Sequence, residues 1–254
     1  MRWARVSYEN RILSGSAIDS DLHVYEGDMF ADARPTGEVI SLTDVTWLTP
    51  CCPSSFIAMW NNYHQSALKN GYGIPSEPLY LTKTANSYNA HLGAITVPSS
   101  YSGRVVYESE LGIVIGKRCK NISPADAQSN IFGYTCVNDI TAVELIERDP
   151  TFAQWTRAKN FDGFGVFGPV IATNIEPQTL TIRAIVNGRE RQNYQASDMI
   201  FKPRELVSLI SQNMTLQPGD VIACGTSLGV LPMRAGAVIE VVIDGIGVLR
   251  NVYG

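Results

Sequence analysis

Two glutamates, Glu108 and Glu110, stand one residue apart in RVVYESELGIVIGK (residues 104–117), whose other positions read as a buried strand. Side chains two apart on a strand share a face, with Cα atoms roughly 6.6 Å apart. With ~5 Å between the carboxylates and an effective dielectric of ~20, their repulsion is about 3 kcal/mol. Something nearby must offset it. A third carboxylate, Asp139, ends the next apolar run, IFGYTCVN (131–138). If the two runs are near neighbours, three acids meet at one point, which suits a hard divalent cation, Mg²⁺ or Mn²⁺. Lys159, in RAKNFDGFG, would bring the charge of acids and ion to zero. Spacing alone leaves a second reading equally open, in which the glutamates are exposed on an edge strand and pair with Lys or Arg.

Other motifs match by letters only. Gly163 to Gly168 spell GxGxxG, but Pro169 follows at once and Val170 and Ile171 favour a strand. A dinucleotide site needs a helix starting at those glycines. Gly225-Thr226-Ser227-Leu228-Gly229 spells GxSxG, yet the three histidines, His23, His64 and His91, all lie upstream. A hydrolase elbow needs a later one, so a serine hydrolase built on Ser227 is a minor reading. The five cysteines (Cys51, Cys52, Cys119, Cys136, Cys224) contain no CxxC and read as core thiols, not zinc ligands.

The elements that must carry these residues are mostly strands. Residues 1–50 read as a small β-rich domain, closed by Pro50 and Pro53; residues 51–254 read as the catalytic domain. A helical pattern covers 54–69 and stops at Asn70-Gly71. A Gly/Pro/Ser/Asn-rich loop, 71–99, follows. Strands are expected over 104–116, 131–138, 166–173, 179–186, 189–196, 220–224, 237–243 and 246–252. Helices are expected near 124, over 140–148 and over 203–213. Asn187-Gly188 predicts a two-residue hairpin. The order does not alternate βαβα, so the class is mostly β with a few helices, α+β, and not a doubly wound sheet. With 254 residues, 45% of them hydrophobic, the chain has enough apolar material for a packed core. A net charge of −4 and scattered Lys and Arg argue against nucleic acid. No apolar run is long enough for a membrane span, and the start lacks the apolar core of a signal peptide, so the expected setting is cytoplasmic.

The segments YESELGIVIGK, FGYTCVNDITA, RAKNFDGFGVFGP, MTLQPGDVIACGT and DGIGVLRN occur in this order and together resemble the fumarylacetoacetate hydrolase family over roughly residues 60–254. That resemblance implies a mixed β-sandwich roll, usually a homodimer, holding Mg²⁺ or Mn²⁺ through Glu108, Glu110 and Asp139. It implies the family lysine at Lys159, a substrate-binding Lys83 in PLYLTK, and a carboxylate-holding turn at Gly225 and Thr226. The implied substrates are small 2-oxo acids, their enols or 1,3-diketo acids. One departure stands out. The family lid helix reads Asn-Tyr-x-x-His-x-x-Glu, and here Asn62 and Tyr63 are followed by Ser66 and Lys69 at the dyad positions. His64 lies two residues early, about 200° round a helix, and could act only if the lid is wound differently. Ser227 also replaces the family proline. Enolisation needs less than C–C hydrolysis, which requires a positioned, activated water. The expected activity is therefore an isomerase or tautomerase like the 2-hydroxyhepta-2,4-diene-1,7-dioate isomerases of aromatic-acid catabolism. A hydrolase of fumarylacetoacetate or acylpyruvate type ranks second, then a decarboxylase, then a non-catalytic binding module. Specificity is expected from the lid (57–75) and the loop 84–99.

Overall fold

Apolar alternation sets the first four strands. In the computed structural model, which describes residues 1–254, Arg2–Tyr8 (β1), Arg11–Ile18 (β2), Asp21–Glu26 (β3) and Arg34–Ser41 (β4) form an antiparallel meander. Ala4, Val6, Leu22 and Val24 are buried on one face, and Trp3 is buried on the other. The two-residue turn Glu9-Asn10 has both residues at positive φ, the backbone a tight hairpin needs. Thr46–Trp47 (β5) also pairs with β1.

The helical pattern over 54–69 resolves differently. Phe56–Trp60 (β6) is a strand, and the helix is only His64–Asn70 (α1), closed by Gly71 in the left-handed region. A short, fully apolar run cannot be assigned by periodicity. Here both faces of β6 are buried, and tertiary pairing decides. Leu79–Lys83 (β7), Tyr88–Asn89 (β8) and Ala94–Ile95 (β9) interrupt the expected loop. Val105–Val106 (β10) and Ser109–Ile115 (β11) replace the single strand expected at 104–116. Ser123 caps Pro124–Ala127 (α2) through its Oγ, which accepts from Asp126 N–H. Ile131–Asp139 (β12) follows. The helix expected over 140–148 is instead Thr141–Ala142 (β13), paired with β10, and one 3₁₀ turn, Val143–Leu145. Pairing of Val106 with Thr141 overrides the local helical pattern.

Trp155–Lys159 (α3) leads into Gly165–Ala172 (β14), so a strand, not a helix, follows Gly163. Thr181–Val186 (β15) and Arg189–Gln195 (β16) meet at the predicted Asn187-Gly188 turn, both at positive φ. Pro203–Asn213 (α4) coincides with its expected range, and Val221–Ala223 (β17), Ala237–Ile243 (β18) and Gly247–Tyr253 (β19) complete the chain. Four cysteines are buried as expected; Cys52 is exposed.

The fold is mostly β. The large sheet runs β4-β3-β2-β1-β14-β12-β11-β17-β6-β7, with β1 joined to β14 through Trp3 and Ile171. A second sheet runs β16-β15-β18-β19-β9. Leu111, Ile113 and Ile115 of β11 share the main core with Ile182, Ala184, Val241 and Leu249 of the second sheet. Val114 points the other way, into a second cluster with Phe56, Val137 and Phe167. The antiparallel register of β11 and β12, Ser109 opposite Asn138, brings the start of one strand to the end of the other. That register is what gathers the acids. No helix is long and apolar enough to cross a membrane.

Candidate metal centre and active-site cavity

Glu108 and Glu110 flank the first residue of β11, and Asp139 is the last of β12, so the three carboxylates converge. One oxygen from each lies within 4.8 Å of the others. Glu110 and Asp139 are buried and β11 is interior to its sheet, which removes the exposed-edge reading. Each carboxylate is held. The Gly225 N–H donates to Glu110 Oε2 at 2.8 Å. Thr141 Oγ1 donates to Glu108 Oε1 at 2.6 Å. Lys159 Nζ donates to Glu108 Oε2 at 2.9 Å and to Asp139 Oδ2 at 2.5 Å. Lys83 Nζ donates to the other oxygen of Asp139, and to the Lys159 carbonyl at 2.6 Å.

One atom is left over. Glu110 Oε1 is buried and has no hydrogen-bond partner. Such a group is costly unless something fills its coordination. Burial, then Asp139 and Glu108, push the Glu110 carboxyl well above its ordinary value. Burial also pushes Asp139 up, but Lys159 and Lys83 outweigh it, and that carboxyl lies below its usual range. For Lys159 burial acts downward and the three acids overcome it, so its ammonium is held above its ordinary value. For Lys83 burial prevails over Asp139, and its value falls. Three acids and two ammoniums leave one net negative charge; a divalent cation would turn it into one net positive. An unpartnered carboxylate oxygen beside two more acids is the donor set a hard divalent ion takes, so the residues fit Mg²⁺ or Mn²⁺.

A cavity of about 360 Å³ opens beside Glu108 and Lys159. The residues singled out from the sequence divide around it. Lys159 and Thr226 line it. Lys83 does not; its side chain is fully buried behind Asp139. Gly225, at φ 87°, is turned so that its N–H meets Glu110 and not the cavity. Thr226 Oγ1 donates to the Ser109 carbonyl at 2.9 Å, so its hydroxyl proton is committed inside the protein. His64 is the first residue of α1 and exposed. It is absent from the lining, whereas Ser66 and Asn70 of the same helix are in it. Asn62 anchors the lid, donating to the Cys224 carbonyl at 2.9 Å and accepting from Phe201 N–H at 2.9 Å.

Two residues escaped the sequence reading. Gln192 Oε1 accepts from Ser109 N–H at 3.0 Å and from Ser109 Oγ at 2.9 Å, and its Nε2 donates to Thr226 Oγ1 at 2.9 Å. Tyr194 OH donates to the Ser109 carbonyl. Both come from β16 of the second sheet. They grip the residue between the two glutamates and tie it to the Gly225-Thr226 loop. The signal was slight: a glutamine and a tyrosine at the inward positions of RERQNYQ.

Residues 55–253 match the family model for the fumarylacetoacetate (FAA) hydrolase C-terminal region, and residues 1–50 match an Rv2993c-like N-terminal model. The chain is 35% identical to the oxaloacetate tautomerase YisK of Bacillus subtilis over 97% of its own length and 89% of the relative's. It superposes with a TM-score of 0.90 on a 2-hydroxyhepta-2,4-diene-1,7-dioate isomerase from Mycobacterium marinum, 33% identical, covering 100% of this chain and 98% of that one. A fumarylpyruvate hydrolase from Pseudomonas aeruginosa, solved with Mn²⁺ and pyruvate, is 28% identical over 79% of this chain and 89% of its own, at a TM-score of 0.73.

Proposed function

This chain belongs to the fumarylacetoacetate hydrolase family, and from that premise we propose that it is a divalent-metal-dependent isomerase or tautomerase of enolisable 2-oxo and 2-hydroxydienoic acids. One observation carries the choice. The cavity joins the acidic cluster and Lys159 but is lined by no histidine, and Glu108, the acid in its wall, is tied to Thr141 and Lys159. C–C hydrolysis needs a positioned base to activate water; interconversion of keto and enol forms needs only a proton moved between carbon and oxygen, which a modest acid or base or solvent can carry.

Glu108, Glu110 and Asp139 would hold Mg²⁺ or Mn²⁺. The bound ion supplies Lewis acidity at a 2-oxo oxygen and offsets negative charge developing there. The chain's own groups do the rest. Lys159, held protonated by its acidic neighbours, keeps a second positive charge at the cavity wall. Thr226 presents a backbone N–H that makes no hydrogen bond within the chain and can meet the substrate carboxylate. Lys83 neutralises Asp139 from behind and so sets the charge of the site without touching substrate. Val106, Val143, Ile146 and Val230 form an apolar wall that limits competing water. The relatives' names fit this class, an oxaloacetate tautomerase and a heptadienedioate isomerase. The hydrolytic reading ranks second because a fumarylpyruvate hydrolase is also similar, at lower identity.

The proposal extends to the assembly and to the division of the chain: a homodimer, with a small domain over 1–50 and a catalytic domain over 51–254, working in the cytoplasm. The deciding assay follows the ultraviolet absorbance of 2-oxo acid enols with Mg²⁺, Mn²⁺ or EDTA, and pyruvate release from an acylpyruvate in parallel. Metal-dependent ketonisation without pyruvate release is expected. Pyruvate release with no faster ketonisation would overturn the ranking.

A further inference from the structure

Beyond the metal cluster, the cavity is built for something without charge. Its lining includes Trp60, Trp155, Tyr72, Ile146 and Leu81. The rings of Trp60 and Trp155 lie 5.9 Å apart, and those of Trp60 and Tyr72 5.1 Å apart, so the wall is a continuous aromatic surface. Trp60, Leu81 and Trp155 also line a neighbouring apolar groove of about 380 Å³ that includes Pro78, Leu79 and Tyr80. The apolar path therefore continues outward from the acid end.

Cations are missing where a second acid group would need them. Lys159 is the only cation in the lining, and Glu108 and Asp139 already hold it. Lys69 on α1, Arg148 before α3 and Arg157 on it are exposed and outside the lining. The polar group nearest the aromatic wall in sequence, Asn61, gives its Nδ2 to the Gly73 carbonyl at 3.0 Å and leaves a buried Oδ1 without a partner. That oxygen is an acceptor and offers a carboxylate no hydrogen bond. An acid group buried there would be desolvated and unpaired.

We infer that the substrate is a 2-oxo monocarboxylic acid whose remaining arm is uncharged and apolar, an aryl or bulky alkyl group lying against Trp60 and Trp155, and that dicarboxylates are poor substrates. This rests on the function proposed above and narrows its substrate class. Aromatic rings pack on such a wall with offset or edge-on geometry.

The test uses the full chain loaded with Mn²⁺ and two probes, phenylpyruvate and oxaloacetate. Ketonisation of each enol gives kcat/KM, and quenching of tryptophan fluorescence gives binding independently of turnover. Phenylpyruvate is expected to be favoured in kcat/KM by up to about 100-fold, the scale set by the desolvation cost of one unsatisfied buried polar group, and to quench at lower concentration. Trp155→Ala is expected to raise KM for phenylpyruvate at least as much as it lowers kcat. Ser66→Arg, which adds a cation on the lid side, is expected to narrow the gap by improving oxaloacetate. Equal or better use of oxaloacetate by the parent protein overturns the inference and leaves the tautomerase reading standing. Turnover of neither acid, with no quenching by phenylpyruvate, overturns both.

Discussion

Replacing Glu110 by glutamine should strengthen the metal-free protein and abolish its response to metal. Glu110 is fully buried, one of its oxygens is unpartnered, and the other accepts only the Gly225 N–H. With carboxylate oxygens no more than 4.8 Å apart and an effective dielectric of ~20, each like pair repels by at least about 3.5 kcal/mol. Glu110 faces two such neighbours, and attraction to Lys159 cancels roughly one of them, leaving about 3.5 kcal/mol. Proton uptake by Glu110 itself relieves part of this, so the realised gain from the neutral amide is about 1–3 kcal/mol. The amide oxygen can still accept from Gly225. For a chain of this size that gain is a rise in Tm on the order of 5 °C. The parent protein, at a metal concentration of 100 Kd, should gain about 2.7 kcal/mol from binding. The assay is thermal unfolding of parent and variant in EDTA and in a Mn²⁺ or Mg²⁺ series. The expected pattern is a crossing: the variant melts higher in EDTA, the parent higher in metal. A variant that melts lower in EDTA and responds to Mn²⁺ as the parent does would refute both the electrostatic argument and the assignment of Glu110 as a ligand.

Three other perturbations separate roles the fold assigns. Gln192→Ala should cost about 1–3 kcal/mol by leaving the buried Ser109 groups unpaired and should weaken Mn²⁺ binding by roughly 10–100-fold, as loss of a supporting partner does; calorimetry that finds metal affinity unchanged would remove Gln192 from the positioning of the cluster. His64→Ala should leave kcat/KM within about twofold, the range of an exposed substitution, and a loss above about tenfold would return the imidazole to the reaction. His91 should make stability depend on acid. Burial, aided by Arg250, lowers its value from 6.5 to about 4, and its Nδ1 accepts from the Arg250 N–H at 3.0 Å. The unfolded chain therefore binds a proton that the folded one refuses, so this stability is present above pH 6.5 and is lost as pH falls toward about 4. His91→Asn keeps an acceptor without a titrating ring, and its Tm should fall less than the parent's between pH 7 and pH 4.5; parallel curves would show that His91 contributes nothing to the slope.

The two lysines at the cluster differ for a reason visible only in three dimensions. Both contact Asp139, but Lys159 also meets Glu108 and lines the cavity, whereas Lys83 meets a carbonyl and is sealed off. The resemblance set Lys83 among the substrate-binding groups. Its ammonium is fully buried against Asp139 and lies outside the cavity lining.

Much of the chemistry could be read along the chain because it depends on local periodicity. Period two places Glu108 and Glu110 on one face and Ser109 on the other. Asn187-Gly188 makes a tight turn wherever two strands flank it, and Pro203 starts α4 by fixing its own backbone. The order of the motifs carried the family and with it the β-rich class. What the sequence could not decide was every question settled by partners distant along the chain. Phe56–Trp60 is a strand because Val221–Ala223 pairs beside it, and residues 141–142 are a strand because residues 105–106 pair with them. His64 faces solvent because the helix starts at that residue and turns Ser66 inward. Gln192 reaches Ser109 across two sheets, 83 positions apart in sequence. Local propensity is fixed by neighbours in the chain, whereas burial, pairing and the sharing of charge are fixed by neighbours in space, and only folding determines who those are.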